Sequence, residues 1–237
     1  MVVNLLFNTT PVVIHAHGSH EYKPHWQPIR ERFFSSPAQN FGAPADLTIL
    51  TWNNGHEAMG LLERSLEHLG VPCMVTGEGV RNWVNSRDKP RCTLEALNSI
   101  KTLYVAGVDS RDAIFIHNPQ LIVERFEQEF DCEMVFSADR INWPNCADFK
   151  EFEDSIAGAQ ASEFRYLNSG AWVGRTEFCR EFFAEAVRTE PVREAPEADQ
   201  GVLKQLFKKY YPRVQLDYRS SMFQNIGFVF SPIFRIN

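Results

Sequence analysis

The sequence predicts an α/β fold in which helices cover a sheet of largely parallel strands. Apolar runs of strand length, rich in Val, Ile, Leu and Thr, alternate with segments of helical periodicity in the first half of the chain. Strands joined through helices run parallel, because the crossover returns the chain to the same end of the sheet. The chain has 237 residues, of which 44% are hydrophobic, so it can bury one large core.

Five apolar runs are predicted to be buried strands, at residues 11–16, 46–52, 72–77, 102–109 and 133–138. Helices are expected where apolar residues share one face, at 59–69, where Met59 opens the face and Gly70 ends the helix, at 94–100, and at 118–130. Residues 78–92 are expected to form a polar loop that carries Trp83 and Lys89. Residues 18–44 lack a clear period and are interpreted as a long connector.

After Asp139 the pattern is less regular. We expect an irregular loop around Trp143, a strand over 164–173, helices over 176–188 and 197–210 with a Pro-rich linker between them, and short strands near Val214 and Phe228. The first half therefore looks like a nucleotide-binding, Rossmann-like unit, and the second half like a substrate-side unit.

The composition argues against nucleic-acid and membrane-surface binding. Lys and Arg number 24 against 30 Asp and Glu, which gives a net charge of -6 without any basic block. The N-terminal segment lacks a basic region and a long apolar stretch, and no window resembles a membrane span. Five cysteines at wide spacings fit free thiols in a reducing compartment. We therefore expect a soluble, cytoplasmic protein.

Three common signatures are missing from the sequence. There is no GxxxxGK[ST] phosphate loop and no GxSxG nucleophile elbow. Gly77-Glu78-Gly79 starts like a dinucleotide fingerprint but lacks its third glycine. Dinucleotide-dependent enzymes and serine hydrolases of these types are therefore disfavoured.

Two carboxylates follow the apolar strand 102–109, in the segment VAGVDSRDAIF. Asp109 and Asp112 lie at the carboxyl end of that strand, where ligands bind in open α/β sheets. Carboxylates there can hold a hard divalent cation that keeps positions free for phosphate oxygens. The alternative is a solvated turn in which Asp109 caps the next segment.

Histidines cluster at the end of the strand 11–16, at positions 15, 17, 20 and 25. Imidazole is a common ligand of transition ions such as Mn2+ and Zn2+, and Gly18 would let the backbone approach a phosphate. A separate zinc site is one interpretation, although thiolate partners at finger spacing are missing. A solvated, His-rich linker is the other.

Two further segments carry candidate polar side chains. In YLNSGAWVG (166–174) a small turn could bring Asn168 and backbone amides against sugar hydroxyls or phosphates, unless it is an ordinary hairpin turn. Asp199 opens an amphipathic helix, where an acidic residue is most often a cap.

Six short motifs occur together in the order and spacing of one family: VDSRD (108–112), FSAD (136–139), WP (143–144), YLNSG (166–170), DQ (199–200) and LDYRSSMFQN (216–225). In these motifs the chain resembles the glycosyltransferase domain of procollagen lysyl hydroxylases over residues 46–228. That resemblance implies a GT-A-like fold, with a Rossmann-type mixed sheet flanked by helices, and sugar transfer from a UDP donor with Mn2+.

The segment PVVIHAHG (11–18), with its HxxG motif, resembles the strand that closes the family's domain and supplies a metal-binding His. Because it comes first here, the chain looks circularly permuted, as one domain over 1–237. Residues 19–45 would connect the closing strand 1–18 to a nucleotide-binding half (46–138) and an acceptor-side half (139–237). The alternative is that residues 1–18 are the tail of a preceding module.

The resemblance implies a role for each matching residue. It makes Asp109, Asp112 and His15 the metal ligands, and it assigns the donor site to Thr51, Trp83, Lys89, Ser110, Arg111, Gly18 and Lys23. Catalytic roles near the transferred sugar or the acceptor fall to Asp139, Asp199 and Asn168. Arg111 stands where the family has an aromatic residue that packs on uracil, and Ala198 interrupts the family's acidic run.

The sequence therefore predicts a metal-dependent glycosyltransferase that moves galactose or glucose from a UDP-sugar to a hydroxyl of a protein or glycan acceptor. Retention of the anomeric configuration is implied by the resemblance, and Mg2+ is the alternative to Mn2+. The departures at Arg111 and Ala198 leave a second hypothesis, a non-catalytic module that binds sugar or nucleotide on the same scaffold.

Overall fold

A computed structural model describes residues 2–18, 23–55, 57–158, 162–231 and 233–236. The strands in these residues are β1 (Val2–Asn4), β2 (Val13–His15), β3 (Leu47–Trp52), β4 (Met74–Thr76), β5 (Tyr104–Val108), β6 (Ala113–Phe115), β7 (Met134–Asp139), β8 (Tyr166–Arg175), β9 (Val214–Asp217), β10 (Phe223–Asn225) and β11 (Phe234–Ile236). The helices are α1 (Trp26–Phe34), α2 (Leu61–His68), α3 (Asn85–Leu97), α4 (Gln120–Glu129), α5 (Ala147–Ala157), α6 (Thr176–Ala186) and α7 (Asp199–Tyr210).

The central sheet has six strands in the order β4-β3-β5-β8-β7-β9. The pairs β3–β4, β3–β5 and β7–β9 are parallel, whereas β8 runs antiparallel to both β5 and β7. Strands β5 and β7 are buried along their whole length, as expected for strands covered on both faces. The predicted α/β fold with a mixed, helix-flanked sheet is confirmed.

Aromatic packing fills the space between the sheet and helices α3, α6 and α7. The indole of Trp172 lies 5.0 Å from the ring of Phe183 and 6.4 Å from that of Trp52. Gly107 on the neighbouring strand makes room for it, because a Cβ at that position would overlap the Trp172 side chain. Much of the large aromatic content of the sequence is therefore buried in this core, and a second core cluster buries Tyr104, Phe115, Phe126 and Phe223.

A second sheet brings the beginning and the end of the chain together. Strand β2 lies between β10, to which it is parallel, and β6, to which it is antiparallel. Strands β1 and β11 pair with each other in a separate two-stranded sheet. The circular permutation stays a prediction.

Several details differ from the sequence predictions, among them helix α5, which stands where an irregular loop was expected, and the unpredicted strands β1, β6 and β11. The connector contains helix α1, and α3 begins at Asn85, inside the expected polar loop. The start of α3 shows no apolar periodicity in the sequence, because its buried face there contains Asp88 and Lys89, which pair with other charged side chains. Met59 is exposed and precedes α2. Phe228 lies in a turn with φ of 58°, and the strand that precedes it is β10.

All five cysteines are free thiols, in agreement with the sequence prediction. In the part of the chain that the structure describes, no helix combines the length and the apolar character needed to cross a bilayer.

Candidate active site

Three potential metal ligands converge where β2, β5 and β6 meet. His15 ends β2, and Asp109 and Asp112 lie in the loop between β5 and β6. Nε2 of His15 is 3.6 Å from Oδ2 of Asp109 and 3.3 Å from Oδ1 of Asp112. The pairing of His15 with Ala113 in the β2–β6 register places the imidazole beside this loop. One nitrogen and two carboxylate oxygens therefore lie within 4.8 Å of one another.

The imidazole of His15 is aimed at the two carboxylates. Its Nδ1 is 2.9 Å from Oδ1 of Asn225, and its Nε2 faces the two carboxylates although His15 is only 2% exposed. Burial disfavours the imidazolium, but the Asp112 and Asp109 carboxylates outweigh it and raise the pKa of His15. A buried imidazole nitrogen that faces two carboxylates fits a bound cation.

Lys89 ties this cluster to helix α7. Its Nζ lies 2.8 Å from Oδ1 of Asp109 and 3.0 Å from Oδ2 of Asp199, and 4.5 Å from the centroid of the Trp52 ring. Burial disfavours the charged ammonium, but the two carboxylates prevail and raise the pKa of Lys89. Lys89 therefore does not extend from a donor loop, as the sequence suggested, but sits as a buried cation on α3.

A cleft of about 910 Å³ opens beside the cluster. Its walls include Asp109 and Asp112 and four of the predicted donor residues, namely Trp83, Lys89, Ser110 and Arg111. Trp83 is half-buried, donates from Nε1 to Oδ1 of Asn85 at 2.6 Å, and would collide with a Cβ at Gly77. The exposed side of the cleft carries Arg111, Glu194 and Glu197.

The other predicted donor residues, Thr51, Gly18 and Lys23, do not line this cleft, although the Lys23 ammonium is near enough to interact electrostatically with Asp112. Thr51 is fully buried, and its hydroxyl donates to the backbone oxygen of Val108 at 2.8 Å. It holds β3 and β5 together, so its side chain has no surface to offer a ligand. Lys23 donates to the backbone oxygens of Ala16 and Gly18, at 2.8 Å for Gly18.

Asp139 is engaged with the protein on both of its oxygens. Oδ2 lies 2.7 Å from Nε2 of His17 and accepts from Asn168 Nδ2 at 3.3 Å, whereas Oδ1 accepts from the backbone N–H groups of Arg140 and Ile141. Burial opposes ionisation, but His17 and these donors lower the pKa of Asp139. Asp139 is therefore a charged, buried group that positions its neighbours.

The turn predicted in residues 166–174 is instead part of strand β8, which bulges where its pairing with β7 shifts register. Oδ1 of Asn168 accepts from the N–H of Gly170 at 2.9 Å, and Oε1 of Gln200 accepts from the N–H of Ser169 at 3.2 Å. Gln200 also donates to the backbone oxygen of Trp143 at 2.6 Å, so it links this bulge to the loop that carries the exposed Trp143 indole.

The histidine cluster does not form a metal site of its own in the described residues. His17 pairs with Asp139, and His25 packs edge-on against Phe234. His20 lies outside the described residues. The ligands that converge are instead one histidine from the first strands and the two mid-chain carboxylates.

Asn225 was missed as a site residue, and so was the pairing role of Lys89. Asn225 lies in the motif LDYRSSMFQN, which the sequence analysis used for recognition without assigning a role to any residue in it. An amide in a short apolar strand gives no local signal, because its partner His15 is 210 positions away.

Fold and site together describe an α/β protein with a candidate divalent-cation centre at the carboxyl end of a central strand. The family model of the PLOD GT domain, the glycosyltransferase domain of procollagen lysyl hydroxylases, matches residues 46–231. The chain belongs to this glycosyltransferase family. His15 lies outside the matched range, whereas Asp109 and Asp112 lie within it.

Among solved structures, the chain is similar to glucosyl-3-phosphoglycerate synthase from Mycobacterium tuberculosis, solved in complex with Mn2+, UDP-glucose and phosphoglyceric acid. The two are 11% identical, the alignment covers 92% of this chain and 79% of that one, and the TM-score is 0.35. No curated protein matches the chain.

Proposed function

We propose that the protein is a metal-dependent glycosyltransferase that moves galactose or glucose from a UDP-sugar to a hydroxyl group of a protein or glycan, with retention of configuration. Family membership supports glycosyl transfer as the reaction. The observation that carries the metal dependence is the convergence of His15, Asp109 and Asp112 beside the cleft.

The cation would be held by Nε2 of His15 and one carboxylate oxygen each from Asp109 and Asp112. Mixed nitrogen and carboxylate ligands suit Mn2+, and the carboxylates also suit Mg2+. When bound, the cation would act as a Lewis acid that offsets negative charge on the departing diphosphate. Lys89 holds the other oxygen of Asp109, which leaves Oδ2 directed toward His15.

The donor nucleotide would bind along the wall formed by Trp83, Ser110 and Arg111. Trp83 offers a ring held by Asn85, which suits stacking on uracil. Arg111 lines the cleft and lies between Asp109 and Asp112 in the sequence. Its planar guanidinium can stack on a base or pair with a phosphate. These contacts would orient the sugar toward the acceptor side.

The acceptor side would be formed by the bulge of β8 around residues 168–170 and the exposed Trp143. Asn168 and Gln200 hold that bulge, and Asp139 holds His17 and the start of the loop that leads to Trp143. We assign Asp139 and Asn168 a role in positioning, where orientation alone contributes several kcal/mol to rate enhancement. Asp199, paired with Lys89, would stand at the base of the sugar pocket.

A non-catalytic module that binds the sugar nucleotide is the second candidate. The observation that favours it is that Asp139 and Asp199, which the family resemblance marks as catalytic, both pair internally and are almost fully buried. Such a module would keep the cation and the nucleotide site but would not transfer sugar.

Release of UDP from UDP-galactose and UDP-glucose in the presence of Mn2+ tests the proposal. Asp112→Asn should lower the rate on the order of 10²-fold, the loss expected when an electrostatic stabiliser is removed. Asp148→Asn, on the exposed surface of α5, is the matched control and should leave the rate unchanged. Equal rates of UDP release for Asp112→Asn and wild type would refute the proposed metal-dependent enzymatic activity. Mn2+-dependent UDP binding without turnover would support the non-catalytic binding module.

A further inference from the structure

Asn225 is a buried amide that touches His15 and has no role in the proposed function so far. It ends β10, is fully buried, and pairs with His15 in the parallel β10–β2 register. The backbone N–H of Ile226 also donates to the backbone oxygen of His15 at 2.9 Å. Backbone and side chain thus attach the end of β10 to the same residue.

The orientation of the Asn225 amide follows from its second partner. Its Nδ2 donates to the backbone oxygen of Ala138 at 2.7 Å, so its Oδ1 must face His15. A flipped amide would set Oδ1 against the Ala138 carbonyl, and two acceptors would then face each other in a buried site. The carbonyl end of the Asn225 side chain is therefore the group that meets the imidazole.

An acceptor at Nδ1 determines what the other ring nitrogen can do. Oδ1 of Asn225 lies 2.9 Å from Nδ1 of His15, so Nδ1 carries the proton and donates it. In the neutral ring, Nε2 then holds a free electron pair directed at Asp109 and Asp112. The opposite tautomer would leave two acceptors in contact at Nδ1 and would direct an N–H at the cation position.

We propose that Asn225 is a positioning residue that selects the Nδ1–H tautomer of His15 and fixes its ring, so that Nε2 binds a divalent cation. The inference rests on the proposed metal site and adds to it a residue outside the three ligands. Partners of this kind orient histidine ligands, and their loss weakens metal binding about 10- to 100-fold.

Three variants separate an acceptor role from a merely structural one. Asn225→Leu keeps the approximate size but removes the acceptor. Asn225→Asp keeps an acceptor oxygen for Nδ1 but loses the donor to the Ala138 carbonyl, so it should be less stable than wild type while still orienting His15. Asn4→Leu is the control, because Asn4 is also a fully buried amide, on β1, and donates to Oε1 of Gln224 at 2.6 Å, next to Asn225. Unfolding of each variant in EDTA reports whether the fold is retained.

The first measurement is the dissociation constant of Mn2+ alone, from the electron paramagnetic resonance signal of free Mn2+, without any sugar nucleotide. Asn225→Leu should bind Mn2+ about 10- to 100-fold more weakly, whereas Asn225→Asp should stay within a few-fold of wild type. Asn4→Leu should bind like wild type. Equal affinity in wild type and Asn225→Leu would overturn the inference and leave the proposed function standing.

The second measurement needs no variant of Asn225. The ¹⁵N shifts of histidine side chains, recorded at a pH where the His15 ring is neutral and with His15→Gln to assign the signal, should show that ring protonated at Nδ1. A neutral ring protonated at Nε2 would overturn the inference even if Asn225→Leu does not fold. Absence of Mn2+ binding by wild type would instead refute the proposed metal site. The ¹⁵N measurement would then still show whether Asn225 selects the Nδ1–H tautomer of His15.

Discussion

Removal of the buried cation Lys89 should destabilise the fold strongly, through the carboxylate that it leaves behind. Lys89 pairs with Asp109 and with Asp199, and the two carboxylates differ in exposure. The side chain of Asp109 is 32% exposed and can be hydrated, whereas that of Asp199 is 8% exposed. In Lys89→Met, Asp199 would therefore remain as a buried charge without its cation.

The expected loss is about 3–5 kcal/mol in the free energy of unfolding, the range measured when one partner of a buried ion pair is removed. For a chain of this size each kcal/mol shifts Tm by about 2–4 °C, so the midpoint should fall by roughly 6–20 °C. Asp199→Asn should be milder than Lys89→Met, because Lys89 keeps its contact with Asp109.

Urea unfolding in EDTA measures these free energies without a contribution from bound metal. The double variant Lys89→Met/Asp199→Asn should regain at least half of the loss, because no buried charge then lacks a partner. Lys208→Met is the control, since its partner Asp148 is exposed and such surface pairs contribute about 0–1 kcal/mol. A loss below about 1 kcal/mol in Lys89→Met, or a double variant no more stable than that single variant, would refute the reasoning.

Three further changes probe the site and its support. Gly170→Ala should weaken Mn2+ binding about 10-fold or more, because its Cβ would collide with the ring of His15; a Mn2+ titration followed by electron paramagnetic resonance checks this. Lys204→Met should lower the free energy of unfolding in urea by about 3–5 kcal/mol, since Glu153, 2.6 Å away and also 1% exposed, would lose its cation. Arg111→Tyr should tighten UDP binding by about 1 kcal/mol through base stacking, as measured by calorimetry.

For each of these three predictions, one experimental outcome would contradict the physical reason given. Unaltered Mn2+ affinity in Gly170→Ala would mean that His15 does not hold the cation. Lys204→Met/Glu153→Gln should recover most of the lost stability, and failure to do so would exclude the unpaired carboxylate as the cause. Weaker UDP binding in Arg111→Tyr would contradict base stacking as the contact at this position and would indicate that the guanidinium pairs with a phosphate instead.

The strands of the six-stranded sheet and the position of the acidic pair could be predicted because their signals are local. Strands β3, β5 and β7 are continuous apolar runs bounded by polar residues, and Asp109 follows the end of β5 directly. Helix α3 could not be located in the same way, because its buried Lys89 looks like a surface residue until Asp109 and Asp199 are known to face it.

The roles of individual carboxylates depended on contacts that no spacing reveals. Asp139 and Asp199 were expected near the transferred sugar, but only the folded chain shows that each pairs with a cation or an imidazole inside the protein. Thr51 was expected at the donor site, and its hydroxyl instead joins two strands of the sheet.

The sequence by itself determined the fold class, the family resemblance and the identity of His15, Asp109 and Asp112 as candidate ligands, because composition, periodicity and motif order are written along the chain. Only the tertiary structure decided that Asn225 orients His15 and that Lys89 is a buried partner of two carboxylates. The physical reason is that hydrogen bonds and ion pairs between distant residues form only when strand pairing and core packing bring those residues together.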